Sequence, residues 1–214
     1  YREIEVAAGL SYAEIARLAE RSSRFPGVSW QSKPIRSYPL GETMAHALGY
    51  VGRITPEELQ VLFNRGYTAD SVIGKGGVEQ RYDELLRGEP GRQFRTVDAS
   101  GRQIYQGDTV PPENGQTVVL TIDRRVQSLV ERALGPRIGS AVVLRPATGE
   151  ILAIASYPRF DPNIFSEDDS AEQFGRLSLD PRSPFLNRAI QSAAAPASTF
   201  KILMTAAVIN ESAF

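Results

Sequence analysis

Apolar and polar positions along the 214 residues divide the chain into short periodic stretches separated by glycine and proline. Residues 4–7 read as a strand. Ser11 with Glu14 three residues later forms the reciprocal capping pair that opens a helix, carried by its spacing to about Ser22. Phe25-Pro26-Gly27 is a turn, and residues 28–38 have strand-like content in which Pro34 marks an edge or a bulge. A short helix follows Gly41. Thr55-Pro56-Glu57-Glu58 supplies an N-cap, a first-turn proline and a capping glutamate for a helix bearing Leu59, Leu62 and Phe63 before Gly66. Residues 73–77 read as a glycine-rich loop, 78–86 as a helix ended by Gly88, and 92–106 as a hairpin around Ser100-Gly101.

The pattern changes after Pro111-Pro112-Glu113-Asn114-Gly115, the densest cluster of turn formers, and the domain boundary is placed there: 1–112 and 113–214. Residues 118–122 read as a strand. Asp123 caps a helix whose Val126, Leu129, Val130, Ala133 and Leu134 share one face, expected to be its buried side. Residues 140–144 and 151–157 are apolar runs joined by Pro146-Ala147-Thr148-Gly149, a hairpin with a type I turn and glycine in the left-handed position. Their nearly unbroken apolar content suggests a sheet covered on both faces. Residues 161–184 read as a long polar excursion over the surface, and 198–209 as a helix. The class is α+β: an elongated mixed pedestal followed by part of a helix-flanked, mainly antiparallel sheet.

A hydrophobic content of 42% supports real cores, and 24 basic against 25 acidic side chains leave no global field for nucleic acid. Without cysteine there is no disulfide, thiolate nucleophile or cysteine-ligated metal. His46 is the only histidine, so a Ser-His-Asp triad would depend on it alone. No run approaches the roughly 20 apolar residues of a membrane span, and no signal peptide opens the chain, which is therefore expected to be soluble by itself. No cofactor or metal site is expected.

Lysine is scarce, and one of the three lysines stands three residues after a serine: Ser198-Thr199-Phe200-Lys201. On a helix this spacing brings both side chains to one face, where the amine can take the serine proton. Backbone N–H groups of the first turn and the helix dipole favour negative charge developing there. Ser198 is the candidate acyl nucleophile and Lys201 its general base. The same spacing also fits a serine that merely caps a helix.

Ordered segments around this motif resemble the opening of a penicillin-binding transpeptidase domain: Thr121-Ile122-Asp123-Arg124-Arg125-Val126-Gln127, then Ala141-Val142-Val143 and Thr148-Gly149-Glu150-Ile151-Leu152-Ala153. Tyr157-Pro158-Arg159-Phe160-Asp161-Pro162-Asn163 and Leu186-Asn187-Arg188-Ala189-Ile190-Gln191 follow in the same order. Earlier, Tyr38-Pro39-Leu40-Gly41-Glu42, Leu48-Gly49-Tyr50-Val51-Gly52-Arg53-Ile54 and Gly74-Lys75-Gly76-Gly77-Val78-Glu79 resemble the non-catalytic pedestal of the class B, elongation-type members. The resemblance implies an enzyme on the periplasmic face of the inner membrane that cross-links peptidoglycan stem peptides. It further implies that Ser198 is acylated with loss of D-alanine and that β-lactams react at the same residue. Glycan polymerase and scaffold proteins are the implied partners, with membrane attachment only through an anchor this chain lacks.

Where the family usually has two prolines and a glycine before the serine, this chain has Ala195-Pro196-Ala197. The chain ends at Phe214, ahead of the family's Ser-x-Asn and Lys-Thr-Gly motifs, so by itself it is expected to be inactive. An alternative is a binding module that docks elongation partners through the pedestal; a β-lactamase or β-lactam sensor fits the long first half less well. Gly74-Lys75-Gly76-Gly77 lacks phosphate-loop spacing and is expected to be a structural turn. His46 is read as a packed or surface histidine, Trp30 as packing in a core or domain interface, and Asp168, Asp169 and Glu172 as a solvated acidic loop.

Overall fold

The computed structural model describes residues 6–25, 27–30, 35–98, 103–166, 170–193 and 195–211. In chain order these form α1 (Tyr12–Glu20), α2 (Ala45–Leu48), β1 (Val51–Arg53), α3 (Pro56–Leu62), β2 (Val72–Gly74), α4 (Gly77–Arg81), α5 (Asp83–Leu86), β3 (Arg92–Val97) and β4 (Gln103–Val110). The second half contributes α6 (Arg124–Leu134), β5 (Gly139–Leu144), β6 (Ile151–Tyr157), α7 (Ser170–Ser178), α8 (Arg188–Gln191) and α9 (Phe200–Asn210). Mixed helix and antiparallel ribbon is the α+β architecture expected.

Capping chemistry sets the helix starts. Ser11 with Glu14 opens α1 and Thr55 with Glu58 opens α3, each as a complete capping box. Ile54, Tyr67 and Ile73 form a small core that Leu59 and Leu62 of α3 cover. This core requires a strand where the glycine content suggested only a loop: β2 pairs antiparallel with β1, Gly52 opposite Ile73. The expected helix over 78–86 is broken at Tyr82 into α4 and α5. The break turns Asp83 inward, where its carboxylate accepts the Gly74 N–H at 2.7 Å and the Tyr67 hydroxyl. Burial and this carboxylate push the Tyr67 phenol up to about 12.

Glycines let the pedestal backbones touch. Gly49 has φ +82°, and a Cβ there would lie 1.8 Å from the Gly76 carbonyl oxygen. Lys75 pairs with Glu58 rather than facing an open loop. Gly74-Lys75-Gly76-Gly77 is thus a packing element.

Two expected strands are absent among the described residues. In the described part of 28–38, Val28, Trp30 and Ile35 are exposed and only Tyr38 is buried. Tyr38 finds its backbone partner in a side chain, the Asn163 carboxamide, which accepts its N–H at 2.8 Å and donates to its C=O at 3.0 Å. The exposed Trp30 indole contradicts a core placement. Residues 118–122 likewise have no ladder; Thr121 Oγ1 and the Asp123 N–H each donate once to the start of β6, at Ile151 and Leu152. The strand expected over 4–7 lies mostly outside the described residues, and Val6 and Ala7 form none. The hairpin of β3 and β4 forms and continues to Val110 with irregular register, its Ser100-Gly101 turn lying outside the described residues. Residues 113–116 remain bonded to the pedestal, through Glu89 and Leu85.

The β5–β6 hairpin matches its expected turn: the Thr148 and Gly149 N–H groups both donate to the Arg145 carbonyl, and Gly149 has φ +77°. Coverage is another matter. Among the described residues this sheet has two strands, α6 packs against it, and Val142 and Leu144 are exposed. The Asp123-capped helix forms, but its buried residues are Gln127 and Glu131, whereas Leu129 of the apolar stripe is 58% exposed. Residues 161–184 are also no mere surface excursion. A 3-10 turn (Pro162–Ser166) and α7 carry Phe165 and Phe174 into an aromatic cluster with Tyr50, Phe160 and Phe185.

Gly49→Ala adds a methyl group into a backbone carbonyl at a left-handed position. It is expected to cost about 3 kcal/mol of stability, read as a lower midpoint in urea unfolding, whereas Gly149→Ala, where no atom lies within 4 Å, costs only the left-handed strain.

Candidate active site

Ser198 lies in a 3-10 turn (Ala197–Thr199) that runs directly into α9, with Lys201 the second residue of the helix. Thr199 and Phe200 have right-handed helical dihedrals, so Ser198 and Lys201 are joined by a continuous helical backbone. Both residues are exposed. No side-chain hydrogen bond caps the turn or α9, so Ser198 is not the cap that the spacing alone also allowed. The Thr199 hydroxyl instead donates back to the Pro196 carbonyl. Among the described residues no hydrogen bond joins Ser198 to Lys201, and no group of three or more acidic or histidine side chains is arranged to hold a metal.

Ala197 has φ +45°, the left-handed region that favours glycine. An alanine there costs roughly 1–2 kcal/mol. This strained residue is the one immediately before Ser198, where the sequence comparison expected glycine.

The approach to the serine is anchored by polar side chains. Ser156 of β6, buried, donates to the Leu186 carbonyl at 3.1 Å and accepts the Arg188 N–H at 3.0 Å. Asn187 caps α8 by accepting the Ala189 N–H, while its Nδ2 donates to the His46 carbonyl at 3.2 Å. His46 Nε2 lies 2.7 Å from the Pro184 carbonyl. A carbonyl can only accept, so Nε2 carries the proton. The ring meets Phe160 edge-on at 5.3 Å, and burial holds the imidazole below its ordinary value, with Arg188 and Arg159 adding to the shift. His46 is therefore packed, as its sequence context suggested.

A second polar cluster lies beside it. Gln127 Nε2 donates to the Ile154 carbonyl and its Oε1 accepts the Ile154 N–H, both at 2.9 Å. Gln127 also donates to Glu131, whose carboxylate accepts the Met44 N–H at 3.0 Å and pairs with Arg159 at 3.1 Å. Met44 is itself left-handed, φ +63°. Sequence reasoning missed Gln127, Glu131, Ser156 and Asn187 as structural centres, and Arg159 and Asn163 with them. For Gln127, Arg159, Asn163 and Asn187 the available signal was their position inside the ordered segments that carried the family resemblance; Glu131 and Ser156 lie outside those segments. Of the acidic loop, Asp168 and Asp169 lie outside the described residues, and Glu172 is exposed on α7.

A mixed pedestal tied to a hairpin that leads into a Ser-x-x-Lys helix is the arrangement of a penicillin-binding protein, and the family comparisons agree. The chain belongs to the family of the penicillin-binding protein dimerisation domain, whose model matches residues 1–120, and the penicillin-binding protein transpeptidase domain matches residues 139–214. It is 37% identical over 205 residues to the peptidoglycan D,D-transpeptidase MrdA of Escherichia coli K12, covering 94% of this chain and 32% of that protein. Penicillin-binding protein 3 of Bacillus subtilis is 35% identical over 190 residues, covering 89% and 28%. Among solved structures, penicillin-binding protein 2 of Helicobacter pylori in complex with MreC superposes with a TM-score of 0.77 at 26% identity, over 97% of this chain and 38% of that one. The Pseudomonas aeruginosa penicillin-binding protein 2 complex with WCK 5153 gives 0.65 at 35% identity, over 81% and 34%. The chain spans about a third of the length of the curated relatives it matches. Among the described residues no helix is long and apolar enough to cross a membrane.

Two measurements probe this geometry. Because the folded state holds His46 below its ordinary value of 6.5, the unfolded chain binds more protons as pH falls past that value. The stability linked to the neutral ring is complete above pH 6.5 and declines as pH falls toward the folded value. Urea midpoints are expected to show this decline between pH 7 and 5 in the wild type and a smaller one in His46→Gln. Ala197→Gly relieves the left-handed strain, partly offset by the greater conformational entropy of glycine in the open state, and is expected to slow amide exchange over residues 198–204 about threefold.

Proposed function

We propose that the protein is a peptidoglycan D,D-transpeptidase of the elongation type, with Ser198 as acyl nucleophile and Lys201 as general base. The observation that carries it is the placement of Ser198 and Lys201 three residues apart on one helical path, at the end of an anchored segment, in a chain the transpeptidase family matches over residues 139–214. Ser198 Oγ attacks the carbonyl of the penultimate D-alanine of a stem peptide and passes its proton to Lys201. The peptide bond to the terminal D-alanine then breaks, the leaving amine takes a proton, and an acyl ester remains on Ser198. The amine of a second stem peptide attacks this ester, forming the cross-link and releasing the serine. A β-lactam carbonyl enters the first step alone and remains as a stable ester. No cofactor takes part.

The domain change is read at 112/113, where Pro111-Pro112 leads out of β4, with residues 113–116 still bonded back to the pedestal and the dimerisation family matching as far as residue 120. The reading puts the protein on the periplasmic face of the inner membrane. It assigns the pedestal to docking a glycan polymerase and scaffold proteins, supported by relatives whose structures are a complex with MreC and a peptidoglycan synthase complex. Exposed apolar residues on the pedestal, among them Tyr12, Phe63, Phe94 and Tyr105, suit such a surface.

Intact-mass measurement after incubation with a penicillin tests the chemistry. The full-length protein is expected to gain one adduct per chain that Ser198→Ala lacks, and an adduct retained in Ser198→Ala would defeat the assignment. The 214-residue chain alone, with Ser198 and Lys201 both in solvent, is expected to gain none.

A further inference from the structure

Residues 190–193 and 195–207 are exposed, so the fixed points nearest in sequence before Ser198 are the anchors at Pro184 and at 186–188. Those anchors have two origins. One is β6, through the Ser156 hydroxyl that bridges Leu186 and Arg188. The other is the pedestal, where Tyr50 meets the Phe185 ring at 6.2 Å and one residue of α2, His46, supplies the hydrogen bonds. His46 donates from Nε2 to the Pro184 carbonyl at 2.7 Å, and its own carbonyl accepts Asn187 Nδ2 at 3.2 Å. Pro184 is fully buried and Asn187 is 9% exposed, so both bonds run where water cannot readily replace them. The two bonds bracket residues 184–187 and tie them to a helix 138–141 residues earlier in the chain.

We propose that His46 and Asn187 form a clasp between the pedestal and the nucleophile approach that positions Ser198, making the pedestal a determinant of the acylation rate. The proposal rests on Ser198 being the nucleophile. His46 and Asn187 are positioning residues, since neither is placed against the reacting atoms. Asn187 has a second duty as the α8 cap, through Oδ1 to the Ala189 N–H, and the test must separate the two. Asn187→Asp keeps an oxygen for the cap and removes the donor to His46. His46→Ala removes the donor to Pro184, and His46→Gln restores a side-chain N–H of similar reach.

The test is rapid-quench acylation of the full-length protein by a fluorescent penicillin, fitted for the rate constant at saturation and for the half-saturating concentration. Partial unfolding lowers the amplitude of the labelled fraction, whereas a misplaced serine lowers the rate constant of the fraction that reacts. Asn187→Asp and His46→Ala are each expected to lower the saturating rate constant about fivefold, the effect of one lost hydrogen bond. The half-saturating concentration stays unchanged, and His46→Gln recovers most of the rate. Wild-type rate constants in both Asn187→Asp and His46→Ala, or changes confined to amplitude or half-saturation, would overturn the clasp while leaving Ser198 as nucleophile. Absence of a Ser198 adduct in the wild-type protein would overturn both readings together.

Discussion

The Gln127 carboxamide meets both backbone groups of Ile154 and continues to Glu131, which reaches Met44 and Arg159. This fully buried side chain does what a neighbouring strand would otherwise do for the edge of β6. A buried peptide group without a partner is costly, and β6 has a paired strand on one side only among the described residues. Asn163 serves the Tyr38 backbone in the same way, and Asn187 serves His46 and Ala189. Polar side chains serving backbone groups thus recur inside the second half, at Ile154 and Ala189, and between the halves, at Tyr38, Met44 and His46.

Apolar contact fills the space between these polar ties. Tyr50 of the pedestal stacks on Phe165 at 3.9 Å, and Phe160, Phe174 and Phe185 close around them in edge-on or stacked pairs. Arg159 and Phe160 are adjacent in sequence, so one short segment carries both an ion-paired side chain and a ring of this cluster. Shape and polarity act together here. The rings contribute area, while the amides and carboxylates fix which atoms face each other, because an unmatched polar group at these positions would cost about 1–3 kcal/mol.

Features governed by local chemistry were legible from sequence: both capping boxes, the Asp123 cap, the hairpin turn ending at Gly149 and the Ser-x-x-Lys spacing. The failures share a cause. A polar residue on a helix reads as solvent-facing, so the burial of Gln127 and Glu131 turned the buried face of α6 away from Leu129 and Ala133, with Val126, Val130 and Leu134 left partly buried. Ile73 and Gly74 looked like a loop because the partner strand that makes them β2 lies about twenty residues earlier and is itself only three residues long. Residues 161–184 looked like an excursion because their phenylalanines are isolated in sequence and meet only in space. At the candidate site the Ser198–Lys201 spacing could be read directly, but the residues that anchor its approach could not, since Ser156, Asn187 and His46 are single polar residues in separate elements.

The helix carrying Lys201 raises a different physical question. Ile202, Leu203, Met204 and Ile209 are all exposed, and a helix apolar around its circumference is stable in water only when something covers it. Lysine acts as a base when its amine is removed from water. Lys201 lies beside Ile202 on the same turn, so a surface that covers the apolar side chains also displaces solvent from the amine. For the proposed Ser198–Lys201 pair, covering α9 and activating the serine are therefore one requirement, and the anchors at Asn187 and Ser156 bear only on the approach to the helix, while the environment of the amine depends on what packs over α9.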